Sequence, residues 1–415
     1  MPAALPVPFN AYEDGYADAA VTEARPLVSH AAAAGVSLAI FDTLSAVETE
    51  WRAFEQSADC TAFQTFDWLS TWQRCVGVLQ GVTPAIVVGR DRDGELLFIL
   101  PLSVGPTRFA RELTFFGTDL CDYNAPLLTP RLAGQIKPAQ FADVWRNISR
   151  QLQRDPRWRH DLVRLEKMPE TVGGQENPML SIGVTPHPSG AYATPLAESW
   201  DAFYAAKRSA STRRRDRTKR NRLADFGEVK TTTPETADGL SQALSVLMQQ
   251  KARSLGRMGV TNFFDRPGHA DFYQALAANP GNKHLVHVSQ LEVGQHIAAV
   301  NVALMFRGTY YHIMSSYTDS DMARFGPGAI HLHDVLRKAI ERGFKTFDFT
   351  VGDEPYKRDW CESGKTLHDH LGAARLRGVV IVASMTAMQA LKRHIKQTPT
   401  LWTAFRKLRA WIGPL

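Results

Sequence analysis

The sequence lacks a long hydrophobic run. Its longest uncharged, mostly apolar stretch runs from Gly378 to Leu391 and has 14 residues, whereas a helix needs about 20 to cross a bilayer. The first 20 residues contain three acidic residues and no lysine or arginine, so they do not resemble a secretory signal. We therefore expect a cytoplasmic protein without a transmembrane helix.

Cysteine is scarce, and motifs of several catalytic classes are missing. The four cysteines form no Cys-x-x-Cys pair, which gives no indication of a zinc or redox site. No Gly-x-Ser-x-Gly sequence marks a serine hydrolase. Ser363-Gly-Lys-Thr366 resembles the end of a P-loop, but Asp359 stands where that motif needs its first glycine. Two pairs of histidines are candidate metal ligands. His331 and His333 fall on different faces of a helix, and His368 and His370 have no third ligand nearby, so no metal is expected.

What the sequence does contain is the composition of a globular protein of two domains. It has 415 residues, of which 44% are hydrophobic and 22% charged. The net charge of +6 is concentrated in one segment, because residues 207–222 hold nine Lys or Arg and one Asp, a local charge of +8. The rest of the chain sums to 6 − 8 = −2, so this segment requires a partner, a counter-charge or exposure to water.

Two strand-turn-strand patterns lie 200 residues apart, around Gly94 and Gly294. Either one domain is duplicated or two hairpins coincide by chance. The other elements that the patterns predict are helices near 46–55, 66–76, 140–152, 234–255 and 268–278, and strands at 113–116, 161–165 and 309–317.

The domain boundaries follow from composition. Residues 1–35 are expected to form a mobile leader, 36–190 a first domain, 191–371 a second, and 372–415 a basic amphipathic helical tail. A proline-rich stretch at 178–195 is predicted to link the two domains.

A glycine turn opens a helix in the second half. Arg324-Phe-Gly-Pro-Gly-Ala329 follows the strand ending near Tyr317 and precedes an apolar helical pattern from Ile330 to Arg342. Such a turn directs free N–H groups and the positive end of the helix dipole to one point, where a phosphate can bind. Gly-Pro-Gly is also simply a good turn.

The next strand, Phe344 to Phe349, carries Asp348 near its end and is followed by a loop with Tyr356 and Lys357. This short span offers a base or orienting carboxylate, a hydroxyl acid and a cation. The alternative is that Asp348 caps a loop and Lys357 is solvated.

Five features in order carry a family resemblance: Phe66-Asp67-Trp68, the hairpin with Pro101, the basic segment 213–222, Gly326-Pro-Gly328, and Phe347-Asp-Phe349 with Gly352 and Tyr356-Lys357. They resemble the CelD-like (BcsL-type) branch of the GNAT acyltransferase superfamily, related to the Fem transferases that build peptidoglycan bridges. The resemblance covers about residues 36–371. It implies an α/β (α+β) fold of two tandem GNAT-like domains, each a mixed, largely antiparallel sheet flanked by helices. It also implies acetyl-CoA or another acyl-CoA as donor, and an amine or hydroxyl acceptor.

One position departs from the family's diphosphate loop, because Ala323 stands at its first position and Arg324 is displaced by one. The first copy has Asp122-Tyr-Asn-Ala-Pro126 at its equivalent turn, so the donor site is expected in the second copy. The residues expected to hold the donor are Arg324, Gly326, Gly328 and Ala329.

The roles expected for acyl transfer follow from its chemistry. Asp348 serves as base or acceptor orienter, Tyr317 or Tyr356 protonates the leaving thiolate, and Lys357 stabilises the oxyanion.

The basic segment is predicted to be a helix over Ala205–Leu223, with Arg213, Arg217 and Arg220 on one face as anion-binding residues. It could attract CoA phosphates, an anionic saccharide or lipid-linked phosphate, RNA or a membrane, or remain solvated. The basic stretch from Met388 to Trp411 could dock on an anionic membrane at the inner face, or pack on the protein.

The leading hypothesis is acyl transfer to a small-molecule or saccharide acceptor, linked by the family name to cellulose, exopolysaccharide or cell-envelope synthesis. The alternatives are an aminoacyl-tRNA-dependent Fem-type transferase and a non-catalytic regulatory subunit. Nucleic acid is otherwise not an expected partner, because few aromatic residues accompany the basic segment.

Overall fold

A computed structural model describes residues 27–31 and 35–397. The strands of the first half are β1 (Leu27–Ala31), β2 (Val36–Phe41), β3 (Thr83–Arg90), β4 (Leu96–Pro106), β5 (Arg111–Phe115), β6 (Leu127–Leu128), β7 (Leu162–Pro169), β8 (Thr171–Val172), β9 (Gln175–Glu176) and β10 (Thr185–Pro186). Its helices are α1 (Glu48–Glu55), α2 (Phe66–Trp72), α3 (Leu132–Gln135) and α4 (Pro138–Arg154).

The second half supplies β11 (Ala191–Pro195), β12 (Val229–Thr232), β13 (Val286–Val293), β14 (His296–Phe306), β15 (Thr309–Tyr317), β16 (Thr346–Val351), β17 (Gly364–Lys365) and β18 (Leu367–Ala373). Its helices are α5 (Trp200–Lys207), α6 (Ala210–Ala224), α7 (Ala237–Arg257), α8 (His269–Ala278), α9 (Pro327–Glu341) and α10 (Leu376–Gln397).

Both halves have the same topology. In the first sheet β2-β3-β4-β5 run antiparallel and β7 joins β5 in parallel, and in the second sheet β12-β13-β14-β15 are followed in the same way by β16. Helix α4 precedes β7 as α9 precedes β16. Gly94 and Gly294 both have positive φ in their hairpin turns, +84° and +59°. Of the two interpretations that the hairpins left open, duplication is confirmed, and the fold is the mixed α/β arrangement of two tandem units that the resemblance implies.

A strand of the second unit joins the first sheet. β18, which the predicted boundaries place in the second unit, pairs with β7 in the first sheet, while β11 pairs with β16 in the second. The stretch predicted as a linker therefore supplies β10 to the first sheet and β11 to the second, and that prediction is wrong for these residues. β7 and β16 each have a parallel neighbour on one side only. On their other side, β18 pairs with β7 and β11 pairs with β16, which satisfies the backbone N–H and C=O groups there.

The units also share a core of aromatic side chains. Trp68 of α2 meets Phe272 of α8 edge to face at 4.8 Å, and Phe63 meets Tyr311 at 5.8 Å. Trp68, Phe63 and Phe272 are completely buried. Each such aromatic pair contributes about 0.5–1.5 kcal/mol beyond the area that it buries. These contacts therefore hold the two units together around the space between them.

Two terminal predictions fall partly outside the described residues. Residues 27–31 of the predicted leader form β1, and the rest of the leader up to 26 lies outside. Helix α10 forms the start of the predicted tail, whose residues from 398 onward are likewise not described. No helix within 27–31 and 35–397 is long and apolar enough to cross a membrane.

Candidate active site between the two units

Strands β15 and β16 diverge. They pair in parallel only at Thr309↔Thr346, Tyr310↔Phe347 and Tyr311↔Asp348. Just beyond, β15 has a bulge at Ile313, because Val302 pairs with Met314 and Ala303 with His312. A bulge leaves backbone groups outside the ladder and re-aims the side chains that follow. The strands thus open a gap at their carboxyl ends.

The predicted glycine turn and helix lie at this same end. Gly326 has a φ of +68°, the left-handed region that suits glycine, and Pro327 is the first residue of α9. The first N–H bonded within the helix belongs to Ile330, which donates to Gly326. The N–H groups of Gly328 and Ala329 precede it at the positive end of the dipole. The turn and helix are confirmed, with a start three residues earlier than the apolar pattern indicates.

Asp348 connects the two units. Its Oδ1 accepts a hydrogen bond of 2.8 Å from the Tyr123 hydroxyl of the first unit and one of 2.7 Å from the Thr350 N–H. Thr350 has a φ of +58°, strained for a β-branched residue. Burial raises the pKa of Asp348 to about 6, against the hydrogen bonds from Tyr123 and Thr350, which lower it. A carboxylate with that pKa is mostly ionised at neutral pH and can still accept a proton.

Asp348 lines a cavity of about 470 Å³ between the units. Its wall is rich in side chains that bond to hydroxyl and amine groups: Asp59, Thr61, Glu170, Thr171, Thr309, Thr346 and Thr366. Oδ1 already has two donors, so the second oxygen of Asp348 is the one left for a ligand. The cavity suits a polar acceptor.

Lys357 is buried and engaged. Its ammonium donates to the carbonyls of Thr350 at 3.3 Å and Val351 at 2.9 Å, and pairs with Glu354 at 2.9 Å. An ammonium has three protons, so these three partners use its full hydrogen-bonding capacity. Lys357 thereby binds backbone carbonyls at the end of β16, where β15 no longer pairs with it. The predicted role in oxyanion stabilisation stays a prediction, and it would require Lys357 to exchange one of these partners.

The two tyrosines proposed as acids lie in different places. Tyr317 lies six residues beyond Tyr311 and so about 20 Å from Asp348 along the strand; it packs against Gly328. Tyr356 lies in the turn after β16, with its ring 6.1 Å from that of Phe349. Burial raises the pKa of Tyr356. The structure places Tyr356 beside Phe349, whose side chain points to the opposite face of β16 from that of Asp348, and leaves Tyr317 at the glycine turn.

The basic segment forms two helices. The predicted single helix is wrong, because Arg208 is extended and Ser209 begins α6 by accepting a hydrogen bond from the Thr212 N–H. Helix α6 packs beside the glycine turn through Leu223, which is buried with Met322 and Ile330.

The three arginines predicted to bind anions differ in their surroundings. Arg220 pairs with Asp334 of α9 at 2.9 Å, Arg213 is half-buried and Arg217 is exposed. The outward face of α6 adds exposed cations at Arg214, Arg215, Lys219 and Arg222. Arg324 is exposed and covers the ring of Phe325 at 4.9 Å.

Four residues of the site were not predicted. Tyr123 and Asp122 belong to the first unit, Lys251 to α7, and Arg307 reaches from the β14–β15 turn to the carbonyls of Glu55 and Ala58. The only signal for the first two was a polar turn at the position that matches the glycine turn of the second unit. The described residues contain no cluster of three or more His, Cys, Asp or Glu able to hold a metal ion.

Comparison with known families identifies the second unit. Residues 210–358 match the family model of the acetyltransferase (GNAT) domain. These residues form a GNAT acetyltransferase domain. The GNAT domain contains the diverging strands, the glycine turn and Asp348, and its presence confirms the predicted enzyme class, a GNAT-type acyltransferase.

Solved structures resemble the whole chain rather than the GNAT domain alone. The crystal structure of FemX matches with a TM-score of 0.51 at 11% identity, over 79% of this chain and 94% of that one. L-PGS from Bacillus licheniformis gives 0.48 at 12%, over 82% and 95%, and a tandem GNAT protein from the clavulanic acid biosynthesis pathway gives 0.43 at 11%, over 85% and 99%. A search of curated proteins finds no significant match. The FemX likeness shows a shared fold.

Proposed function

We propose that this protein transfers an acyl group from acyl-CoA, with acetyl-CoA the first donor to test, to an amine or hydroxyl acceptor. The observation that carries the proposal is the succession of three features along β15 and β16, two inner strands of the second sheet. The glycine turn opens α9, β15 and β16 diverge, and Asp348 faces a cavity at the end of their pairing. An anionic donor and a nucleophile can thus approach one another from the two sides of the gap.

The donor's diphosphate is assigned to the N–H groups of Gly328 and Ala329, with Gly326 allowing close approach. Arg324, which is exposed just before the turn, supplies positive charge there, and Arg213 and Arg217 add to the positive charge of α6, whose C-terminal end packs beside the turn through Leu223. The helix dipole and these cations would act on the donor before any chemistry takes place.

In the transfer step, the free oxygen of Asp348 accepts the proton of the acceptor's amine or hydroxyl. The nucleophile bonds to the thioester carbonyl carbon, the carbon–sulfur bond breaks, and the thiolate takes a proton from Tyr317 or Tyr356. No covalent bond to the protein is needed.

We also propose membership of the CelD-like branch, supported by the ordered motifs, and with it an acceptor from exopolysaccharide or cell-envelope synthesis. The hydroxyl-lined cavity supports a saccharide acceptor. A cytoplasmic location, with contact at the inner face of a membrane through the basic tail, belongs to the same proposal.

Thermal unfolding of the full chain with acetyl-CoA, with charged tRNA or with neither tests the function. A ligand at 100 times its Kd stabilises the folded state by about 2.7 kcal/mol. Stabilisation by acetyl-CoA alone supports the proposal. Stabilisation by charged tRNA alone would favour a Fem-type transferase acting through the exposed cations of α6, and no effect of either would favour a non-catalytic subunit.

A further inference from the structure

A second, smaller cavity lies at the bulge of β15. It measures about 270 Å³ and has an apolar part formed by Phe263, Ile313 and Met314. Its polar part is formed by Lys251 of α7, by Asp122 of the first unit, and by Arg266, His269 and Tyr273. The neighbouring residue Tyr123 lines the larger cavity and holds Asp348. The loop at 120–124 therefore contributes to both cavities.

Lys251 is a mostly buried cation that makes no ion pair or hydrogen bond with any residue in the described part of the chain. Glu354, the acid whose charge acts on it most, is paired with Lys357 instead. Burial lowers the pKa of Lys251. A buried charge without a partner is unfavourable unless a ligand provides the opposite charge.

Other enclosed cations of this protein do have such partners. Lys357 pairs with Glu354 at 2.9 Å and Lys207 pairs with Glu362. Lys251 differs from them in lining a cavity without pairing with any carboxylate of the described residues. This contrast singles it out as a binding group.

Asp122 forms another part of the wall. Burial raises its pKa, opposed by the charges of Lys167 and Lys357 and by a hydrogen bond with the Thr350 side chain. A carboxylate there can accept a hydrogen bond from an amine or hydroxyl. The cavity thus presents a cation and a hydrogen-bond acceptor beside an apolar surface.

We propose that this cavity binds a carboxylate of the acceptor through Lys251, while the acceptor's amine or hydroxyl extends past the 120–124 loop to Asp348 in the larger cavity. The inference rests on the proposed function and specifies its substrate class, an amine or hydroxyl compound that bears a carboxylate. Its hydrocarbon part would contact Phe263 and Met314. Two sources share this chemistry, α-amino acids and sugars carrying a carboxylate.

Matched acceptors distinguish the sources. An α-amino acid is compared with its amide, and muramic acid with glucosamine, in acetyl-CoA transfer assays that follow thiol release and in direct titrations by calorimetry. The variants are Lys251→Met, Lys251→Arg, and Lys283→Met as a control on an exposed lysine.

We expect the parent protein to prefer one carboxylate compound over its neutral counterpart. Lys251→Met should raise the KM and Kd of that compound about tenfold or more, since a charge-assisted hydrogen bond is lost. The neutral counterpart, kcat and acetyl-CoA binding should be little changed. Lys251→Arg should restore part of the affinity, and Lys283→Met should behave as the parent.

Equal affinity for carboxylate and neutral acceptors, or equal affinity in the parent and Lys251→Met, would overturn the inference. Titration by calorimetry separates this from a failure of the proposed function. Carboxylate binding that depends on Lys251 without any binding of acetyl-CoA would refute acyl transfer and retain the site. Because Lys251→Met removes an unpaired buried charge, we expect it to fold, with a melting temperature at or above that of the parent.

Discussion

The hydrogen bond from Tyr123 to Asp348 gives the most direct test of how the two units cooperate. Tyr123→Phe removes the hydroxyl and keeps the ring, which packs 5.8 Å from Phe63. The bond favours the charged carboxylate, so its loss raises the pKa of Asp348 above its present value of about 6. A hydrogen bond to a charged group contributes about 1.5–3 kcal/mol, which corresponds to about one to two pKa units.

The expected consequence is a shift of the acidic limb in the plot of kcat/KM against pH. Asp348 must be ionised to accept a proton, so that limb should move from about pH 6 to about pH 7–8. At pH 6.5 a pKa of about 7.5 would lower the ionised fraction nearly tenfold, whereas at pH 9 the parent and the variant should be similar. The assay is acyl transfer to a fixed acceptor from pH 5 to 9.

Tyr311→Phe is the matched control. Tyr311 lines the same cavity and lies 6.4 Å from Tyr123, but its hydroxyl is not bonded to Asp348. Its acidic limb should stay in place. If the limb of Tyr123→Phe also stayed in place, or if its activity fell equally at every pH, Asp348 would not be the base that Tyr123 tunes.

Three further substitutions have defined outcomes. Because the pKa of Asp348 is raised in the folded state, its ionisation destabilises the fold as pH rises from about 4 through 6. Asp348→Asn should therefore increase the free energy of unfolding in urea by about 1–3 kcal/mol at pH 7.5 and leave it unchanged at pH 4. A decrease at pH 7.5 would contradict this. Gly326→Ala, at a φ of +68°, should cost about 1–2 kcal/mol and abolish stabilisation by acetyl-CoA, whereas Gly256→Ala in α7 should gain about 0.5–1 kcal/mol. Arg307→Ala should cost about 1–3 kcal/mol and speed amide exchange at 55–58, and unchanged exchange there would show that the two units are held otherwise.

The duplication has a functional meaning in this arrangement. The second unit contains the glycine turn, while the first unit has a polar turn in its place and supplies Asp122 and Tyr123. Under the proposed function, one copy would hold the donor and the other would shape the acceptor side of the same gap.

Local patterns were sufficient for the elements with strong signals. The hairpin glycines, β15, and the glycine turn that opens α9 follow from alternation, helical periodicity and the conformational freedom of glycine, which act within a few residues. The same reasoning failed at Arg208 and Ser209, where a serine cap competes with a continuous helix.

Only the tertiary structure decided which distant residues meet. Tyr123 and Asp348 are 225 positions apart, and the pairing of β18 with β7 joins segments that no local propensity couples. Sheet register and the shared aromatic core set these contacts, and with them the pKa of Asp348 and the isolation of Lys251. Sequence spacing records which side chains are available, whereas burial and partners, which exist only after folding, determine their chemistry.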